Sequence, residues 1–530
     1  MLFSIFEFAQ SLRSSNGVSD RSLFYLFIQT LLLCLLVWAT VFYTSKPRYY
    51  SDFPILATKL KATPATGWFK EGYQMVLRGI DMFSSPFQVM TGTGPVVVLP
   101  NNFADEVRNN PHLSFNRYFD RDFFTWYPGF EAYKTGYQDG TFIQEVVRVK
   151  LTQSLGLVTA DLVDEMTAAA HDLVGEEASF KTISLKDTVS FLVARLSSRV
   201  FLGKNLARNN RWLHIAMHYT HDSYAAAGEL RQWPFFLRPF VHWFLPTCKR
   251  LRQQVKDANE LVMPEVEKRK DVLRKAKESG TKPPKTSDTI GWMYEVSRGR
   301  DVNYVYGQLF LSFAAIHTTT ETITGCLMDI CAYPEIVQPL REEIIQVIGT
   351  DGWAKTSLYK LKLMDSFMKE SQRRHHMGII DHKASIHRYA DEDIILSGGH
   401  VIKKGSRMMV SCDTFIDPKV YPEPEKYDIY RFFNLRQQPD QSNSHQFVTT
   451  SSQHMMFGHG THACPGRFFA SNEMKIALCH LLLKYDWKLC DGQTERPPNL
   501  QVDQGFLTDP TVKVRVRRRK AEIDLDADTS

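Results

Sequence analysis

At 530 residues, 43% hydrophobic and 23% charged, the chain has an ordinary globular composition, which excludes long disordered or low-complexity spans. A net charge of +6 is too small to argue for a nucleic-acid partner. Eight scattered cysteines without a Cys-x-x-Cys pair argue against a disulfide framework and for a reducing compartment, and the absence of any Asn-x-Ser/Thr site agrees.

Leu23 to Tyr43 carries no charged residue. As a helix it would be ~30 Å long, about one hydrocarbon core. Lys46, Pro47 and Arg48 follow it where a signal peptide would have a cleavage site. Lys46, Arg48, Lys59 and Lys61 behind the run outnumber Arg13 and Arg21 before it, so the charge bias predicts a cytosolic body. The expected organisation is a lumenal segment 1–22, a membrane anchor 23–43, a linker 44–64 and one body over 65–530.

Pro95 to Pro100 is predicted as a short strand bounded by prolines. Val146 to Thr152 opens a helical segment, in which Arg148 and Lys150 read as a solvated basic face. Residues 185–270 are predicted largely helical. Two aromatic clusters, Trp233–Leu237 and Val241–Pro246, break them and suit either a core or contact with a bilayer. Lys268 to Lys285 reads as a charged surface linker.

Within 301–332, Val305, Leu309, Phe310, Phe313 and Ile316 recur at helical spacing. Ala314-Ala315-Ile316-His317-Thr318-Thr319-Thr320-Glu321 lies in the middle. Three threonines compete for backbone carbonyls and predict a local distortion, or a satisfied buried cluster. Pro339 opens an amphipathic helix. Glu370 and Arg373 lie three apart on the next, a pairing that by itself is common and weak. Ile394 to Ile402 reads as a hairpin turning on Gly398-Gly399, and Lys513 to Lys520 as a last strand.

The most informative run is Phe457-Gly458-His459-Gly460-Thr461-His462-Ala463-Cys464-Pro465-Gly466-Arg467-Phe468-Phe469-Ala470. Its glycines open backbone conformations closed to other residues, and Gly466 allows a large group to approach. Cys464 precedes a helix predicted over Arg467 to about Tyr485, so the dipole favours thiolate.

This run resembles the haem-ligand loop of the cytochrome P450 family, with Phe457, Gly460, His462, Cys464, Gly466 and Ala470 in register. Ala314 to Thr319 resembles the family's oxygen-activation segment, with His317 where an acid is usual. Glu370 and Arg373 match the Glu-x-x-Arg signature, and Tyr427 to Phe432 matches the segment that brings a third partner, Arg431, although Ile429 replaces a proline. The resemblance covers about residues 65–515. It implies a mainly α fold with a smaller β-rich part, the cytochrome P450 fold, behind a transmembrane helix in the endoplasmic reticulum membrane. It implies haem b, with Cys464 as the iron's axial ligand and Phe457 and Gly466 around the cofactor. His462 would contact a propionate; Arg388 is either a second such contact or a surface arginine. The Trp-x-x-x-Arg pattern that supplies a propionate cation in relatives is absent. Thr318 would relay protons to dioxygen, with His317 as an imidazole shuttle titrating near neutrality. Electrons would come from NADPH-cytochrome P450 reductase, docking on a basic face of Arg467, Lys475 and Arg148, with cytochrome b5 as an alternative donor. The Ala314–Glu321 run looks like fungal P450s of the ent-kaurene oxidase and gibberellin-pathway type, which implies an apolar terpenoid substrate. The alternatives are a P450-fold isomerase or dehydratase acting without a reductase, a monooxygenase of another metabolite, and a haem-binding scaffold without turnover.

Overall fold

A computed structural model describes residues 20–44, 49–50, 52–60, 64–138, 142–281, 287–375, 384–502 and 505–526. The expected segment 1–22 lies almost wholly outside these residues, as do Lys46, Arg48 and Lys61 of the linker.

The fold is built on one long helix. The helices used below are α1 (Asp20–Thr44), α2 (Pro64–Met82), α3 (Phe115–Phe123), α4 (Glu131–Gln138), α5 (Leu155–Leu173), α6 (Leu185–Leu202), α7 (Asn210–Arg231), α8 (Pro246–Glu278), α9 (Tyr304–Ala332), α10 (Val337–Asp351), α11 (Lys362–His375) and α12 (Arg467–Lys484). The Asn303 side chain caps α9 by accepting the Tyr306 N–H at 2.9 Å, and Pro334 ends it. Val305, Leu309, Phe313, Ile316, Ile323, Leu327 and Ile330 are buried on several sides of α9 rather than on one stripe. It packs against α4, α6, α7, α8, α11 and α12, so it is the core's axis rather than a surface helix. Each such side chain stabilises the fold by about 1.5–3 kcal/mol on burial.

The strands are β1 (Ile55–Leu56), β2 (Phe87–Thr91), β3 (Gly94–Leu99), β4 (Leu113–Ser114), β5 (Lys181–Ser184), β6 (Ala384–Ala390), β7 (Ile394–Ile395), β8 (Val401–Ile402), β9 (Arg407–Ser411), β10 (Tyr485–Leu489), β11 (Leu500–Val502), β12 (Gly505–Leu507) and β13 (Lys513–Arg518). The largest sheet has the order β1-β2-β3-β9-β6-β4, and β10-β13-β5 form a second. β7 and β8 pair antiparallel across Gly398 and Gly399, both at positive φ, as the Gly-Gly turn predicts.

Three expectations change. The run after Lys268 is not a linker at first: α8 continues to Glu278, its charges paired along the helix as Lys270–Glu267 and Arg274–Asp271. Val146–Leu151 is a π-helix rather than a regular helical turn. Lys475 does not belong to a basic surface, because it is buried with its Nζ 2.6 Å from Asp365 and 2.8 Å from the Leu358 carbonyl.

Among the described residues no helix is long and apolar enough to cross a membrane. α1 has described side chains for residues 24–40, ~25 Å of helix. Within it Phe24, Leu26, Leu32, Leu36 and Trp38 are exposed. Between α7 and α8, Phe235, Phe240, Trp243 and Phe244 are exposed as well, with Phe244 at 73%. Those aromatic turns are therefore not core, although His242 between them is buried and stacks on Tyr127 at 4.6 Å.

Candidate active site

Cys464 sits at the end of a tightly folded loop. The Phe457 carbonyl accepts the Cys464 N–H at 2.7 Å, and the Cys464 carbonyl accepts from the Arg467 guanidinium at 2.7 Å. Gly460 has a φ of +75°, and a Cβ there would lie 2.7 Å from the Arg108 carbonyl, so no other residue fits. Asn109 fixes the loop from the same side, its Oδ1 accepting from the Thr461 N–H and hydroxyl, both at 2.9 Å. Phe457 packs edge-on to Phe447 at 5.2 Å. A Cβ on Gly466 would stand 4.0 Å from the Cys464 Sγ, so glycine keeps the approach to sulfur open. Burial pushes the thiol above its ordinary range. The Gly466 and Arg467 N–H groups and the Arg467 charge pull it down but do not win, contrary to the dipole argument taken alone.

Arg388 and His462 meet beside this loop. The Arg388 guanidinium lies 5.7 Å from the centre of the Phe115 ring, on which His462 stacks at 6.0 Å. Arg388 is 2% exposed, and among the described residues no carboxylate neutralises it. Its Nη1 donates to the His387 carbonyl at 2.7 Å, while its Nε is buried without a partner. Burial alone lowers it to about 10. His462 is lowered to about 4 by burial and by the Arg388 charge, so it is neutral. An unpaired buried guanidinium is costly unless an anion meets it. The site thus fits a cofactor carrying carboxylates on one side and taking a sulfur ligand on the other. A register shift between Ser385 and Arg388 in β6, with Ile386 at a φ of +50°, re-aims Arg388 inward, so it is not a surface arginine.

α9 carries the Thr318 run. Along this buried helix Ala314 is exposed and Ala315 and Thr318 are partly exposed, so these three face open space. The Thr318 hydroxyl donates to the Ala314 carbonyl at 2.8 Å. Phe313 begins an aromatic cluster next to them: it meets Tyr133 at 4.7 Å, Tyr133 stacks on Phe123 at 4.4 Å, and Tyr224 meets Phe123 at 5.1 Å. His317 does not share the Thr318 surroundings. It is buried against α7, its Nε2 2.8 Å from the Met217 carbonyl and its ring 4.6 Å from His221. Burial and His221 lower it to about 3, so it does not titrate near neutrality.

Glu370 and Arg373 form a buried bidentate pair at 2.8 and 2.9 Å rather than a surface one. Arg431 joins at 3.1 Å from the same Glu370, and its other nitrogens reach the carbonyls of Pro422, Glu423 and Lys426. Isoleucine at 429 costs this arrangement nothing, since the Asp428 N–H still reaches Glu370 at 3.2 Å. Arg148 is exposed, and Lys150 pairs with Glu295 at 2.6 Å, both as a solvated face would have them.

Residues 83–515 match the protein family described as Cytochrome P450. The chain belongs to the cytochrome P450 family. It is 42% identical over 510 residues to cytochrome P450 monooxygenase bsc2 of Alternaria brassicicola, covering 95% of this chain and 96% of the relative. It is 42% identical over 440 residues to cytochrome P450 monooxygenase 1 of Gibberella fujikuroi (83% and 98%), and 40% identical over 475 residues to cytochrome P450 monooxygenase hepE of Aspergillus oryzae (89% and 85%). As a P450 monooxygenase the protein is an oxidoreductase, and the family implies a haem-thiolate cofactor. Sequence alone gave no sign of Phe115, which lies far from any motif and joins Arg388 to His462. The aromatic cluster around Tyr133 was equally hidden, since its members come from four helices.

Proposed function

We propose that this P450 inserts oxygen into an apolar terpenoid of fungal secondary metabolism, using haem b held by Cys464 and electrons from NADPH-cytochrome P450 reductase. The observation that carries the reading is the pairing of the open Cys464 loop with the uncompensated Arg388. Cys464 ligates the iron, Arg388 and neutral His462 bind a propionate, and Phe457 and Gly466 border the cofactor. When bound, the haem supplies the dioxygen chemistry.

The chain's own residues do the rest. Thr318 holds a proton at its hydroxyl beside the open face of α9, bonded to the Ala314 carbonyl; on rotating off that carbonyl it gives the proton up while taking another from water, so the hydroxyl is unchanged. His317 keeps α7 and α9 in register. Glu370, Arg373 and Arg431 lock the segment that leads to the Cys464 loop and take no part in chemistry. Ala314 and Ala315 give the open face of α9 an apolar surface next to the buried cluster of Phe313, Tyr133, Phe123 and Tyr224, which supports an apolar substrate. Arg467 and Arg148 remain as reductase contacts. α1 anchors the body to the endoplasmic reticulum membrane with residues 23–43 spanning it, the 44–64 linker leaving it and the 65–530 body in the cytosol. The exposed Phe235, Phe240, Trp243 and Phe244 rest on the bilayer.

The test is a titration of detergent-solubilised protein with a panel of diterpenoids, followed at the haem absorption band. A low-to-high-spin shift with one class, and turnover that requires reductase and NADPH, support the reading. A haem spectrum without a shift counts against terpenoids. Turnover without reductase would replace oxygenation by isomerisation or dehydration.

A further inference from the structure

α7 carries a row of histidines that the chemistry above does not use. Its first turns bury Trp212, Leu213, Met217 and Tyr219, and the same helical spacing turns Arg211, His214, His218 and His221 outward. His214 and His218 stand one turn apart, at i and i+4. Their rings stack at 4.0 Å, 15° from parallel. The His218 Nδ1 lies 2.8 Å from the His214 carbonyl. A carbonyl only accepts, so Nδ1 carries the proton and the Nε2 of the neutral ring keeps its lone pair for an outside partner. The His214 ring makes no hydrogen bond or ion pair among the described residues, so it can turn about Cβ–Cγ to set a nitrogen beside that Nε2. The charges on the same stripe are already matched: Arg211 pairs with Glu260 of α8 at 3.4 Å, and Asp222 with Arg250 at 2.8 Å. The pair therefore offers neutral imidazole and no carboxylate. His221 continues the row but its ring meets His317 at 4.6 Å, and among the described residues no three such side chains converge on one point.

We infer that His214 and His218 form a surface site for one divalent ion of the zinc, nickel or copper class, held by two imidazoles and completed by water. Two histidines at this spacing share one helix face, which is how a helix presents imidazole to zinc. Neutral imidazole suits these borderline metals, whereas magnesium and calcium need the oxygen ligands that the pair lacks. The His214 carbonyl is the outer partner that fixes the His218 tautomer and orients its ring. Bound across one turn, the ion ties residue 214 to residue 218 and stiffens the stretch of α7 from which Met217 and His221 meet His317. Because it binds the folded helix, it also stabilises the protein by mass action. The site uses none of the haem-binding residues and stands or falls apart from the function proposed above.

The experiment is a calorimetric titration of the full chain, as purified in detergent, free of any affinity tag and stripped with EDTA. The probes are nickel, zinc and magnesium chlorides. Wild type is compared with His214→Gln, His218→Gln and His221→Gln. All three positions are exposed, and an unaltered far-ultraviolet helix signal shows that each variant is folded. The expected result is one nickel ion per chain in the wild type. Its affinity should be at least roughly tenfold lower in His214→Gln and in His218→Gln, since losing a ligand costs no less than losing an outer partner. His221→Gln stays within about twofold of the wild type, and magnesium gives no binding heat. Zinc should raise the thermal midpoint of the wild type and not that of His214→Gln. No nickel or zinc binding by the wild type, or binding undiminished in either His214→Gln or His218→Gln, overturns the inference. An equal fall in His221→Gln overturns the two-ligand site.

Discussion

Arg388 and His462 rest on the same ring, that of Phe115, and burial together with the charge of the first keeps the second neutral. The arginine has no carboxylate partner among the described residues and the histidine cannot serve as one, so an anion is the missing member of the group.

Arg388→Leu should weaken haem retention by roughly ten- to a hundredfold, the loss of a charged hydrogen bond in a buried site. The apoprotein should be no less stable, because an uncompensated buried cation is removed. Haem absorbance per mole of protein after gel filtration, with the thermal midpoint of the apoprotein, checks both halves. A variant that keeps haem normally would remove Arg388 from the cofactor site.

Thr318→Val should leave haem content and ligand binding intact while product formed per NADPH consumed falls at least roughly tenfold, toward the hundredfold or more that a positioned proton donor contributes. Thr318→Ser should restore most of it. Equal coupling in wild type and Thr318→Val would assign the proton step elsewhere.

Glu370→Ala should be among the most destructive substitutions in the chain. It strands two arginines, of which Arg373 is fully buried, and breaking such a buried pair costs about 3–5 kcal/mol. Little folded protein should be recovered, and what is recovered should lose haem on warming before the wild type does.

Acid sensitivity should begin near the ordinary histidine range. His317 is lowered to about 3 and His462 to about 4 by burial, so between those values and about 6.5 the unfolded chain binds more protons than the folded one. Stability from these groups is complete above pH ~6.5 and is lost as pH falls through that window. Thermal midpoints of the apoprotein between pH 7 and pH 4 should fall less steeply in His317→Gln than in the wild type.

Much of this was legible in the chain. The Cys464 loop reads directly because its chemistry is local: glycines whose backbone is strained for other residues, and a sulfur placed before a helix. β3, the β7–β8 turn and the long helix α9 read for the same reason, since periodicity and turn chemistry are local properties. Glu370 and Arg373 were visible as a pair but not as a strong one, because spacing does not reveal burial. The aromatic turns around Phe240 were undecided, because an apolar side chain looks the same in sequence whether it faces a core or solvent.

Sequence by itself determined the family, and it marked the Cys464 loop and Thr318 as candidates for the site. The tertiary structure alone decided where the charges go. Lys475, read as a surface cation, is buried on Asp365; His317, beside Thr318 in the chain, is turned against Met217 on another helix; Arg388 is aimed inward by a bulge in β6. A side chain's charge state and reach depend on which distant segments remove its water, and that is a property of packing rather than of neighbours in the chain.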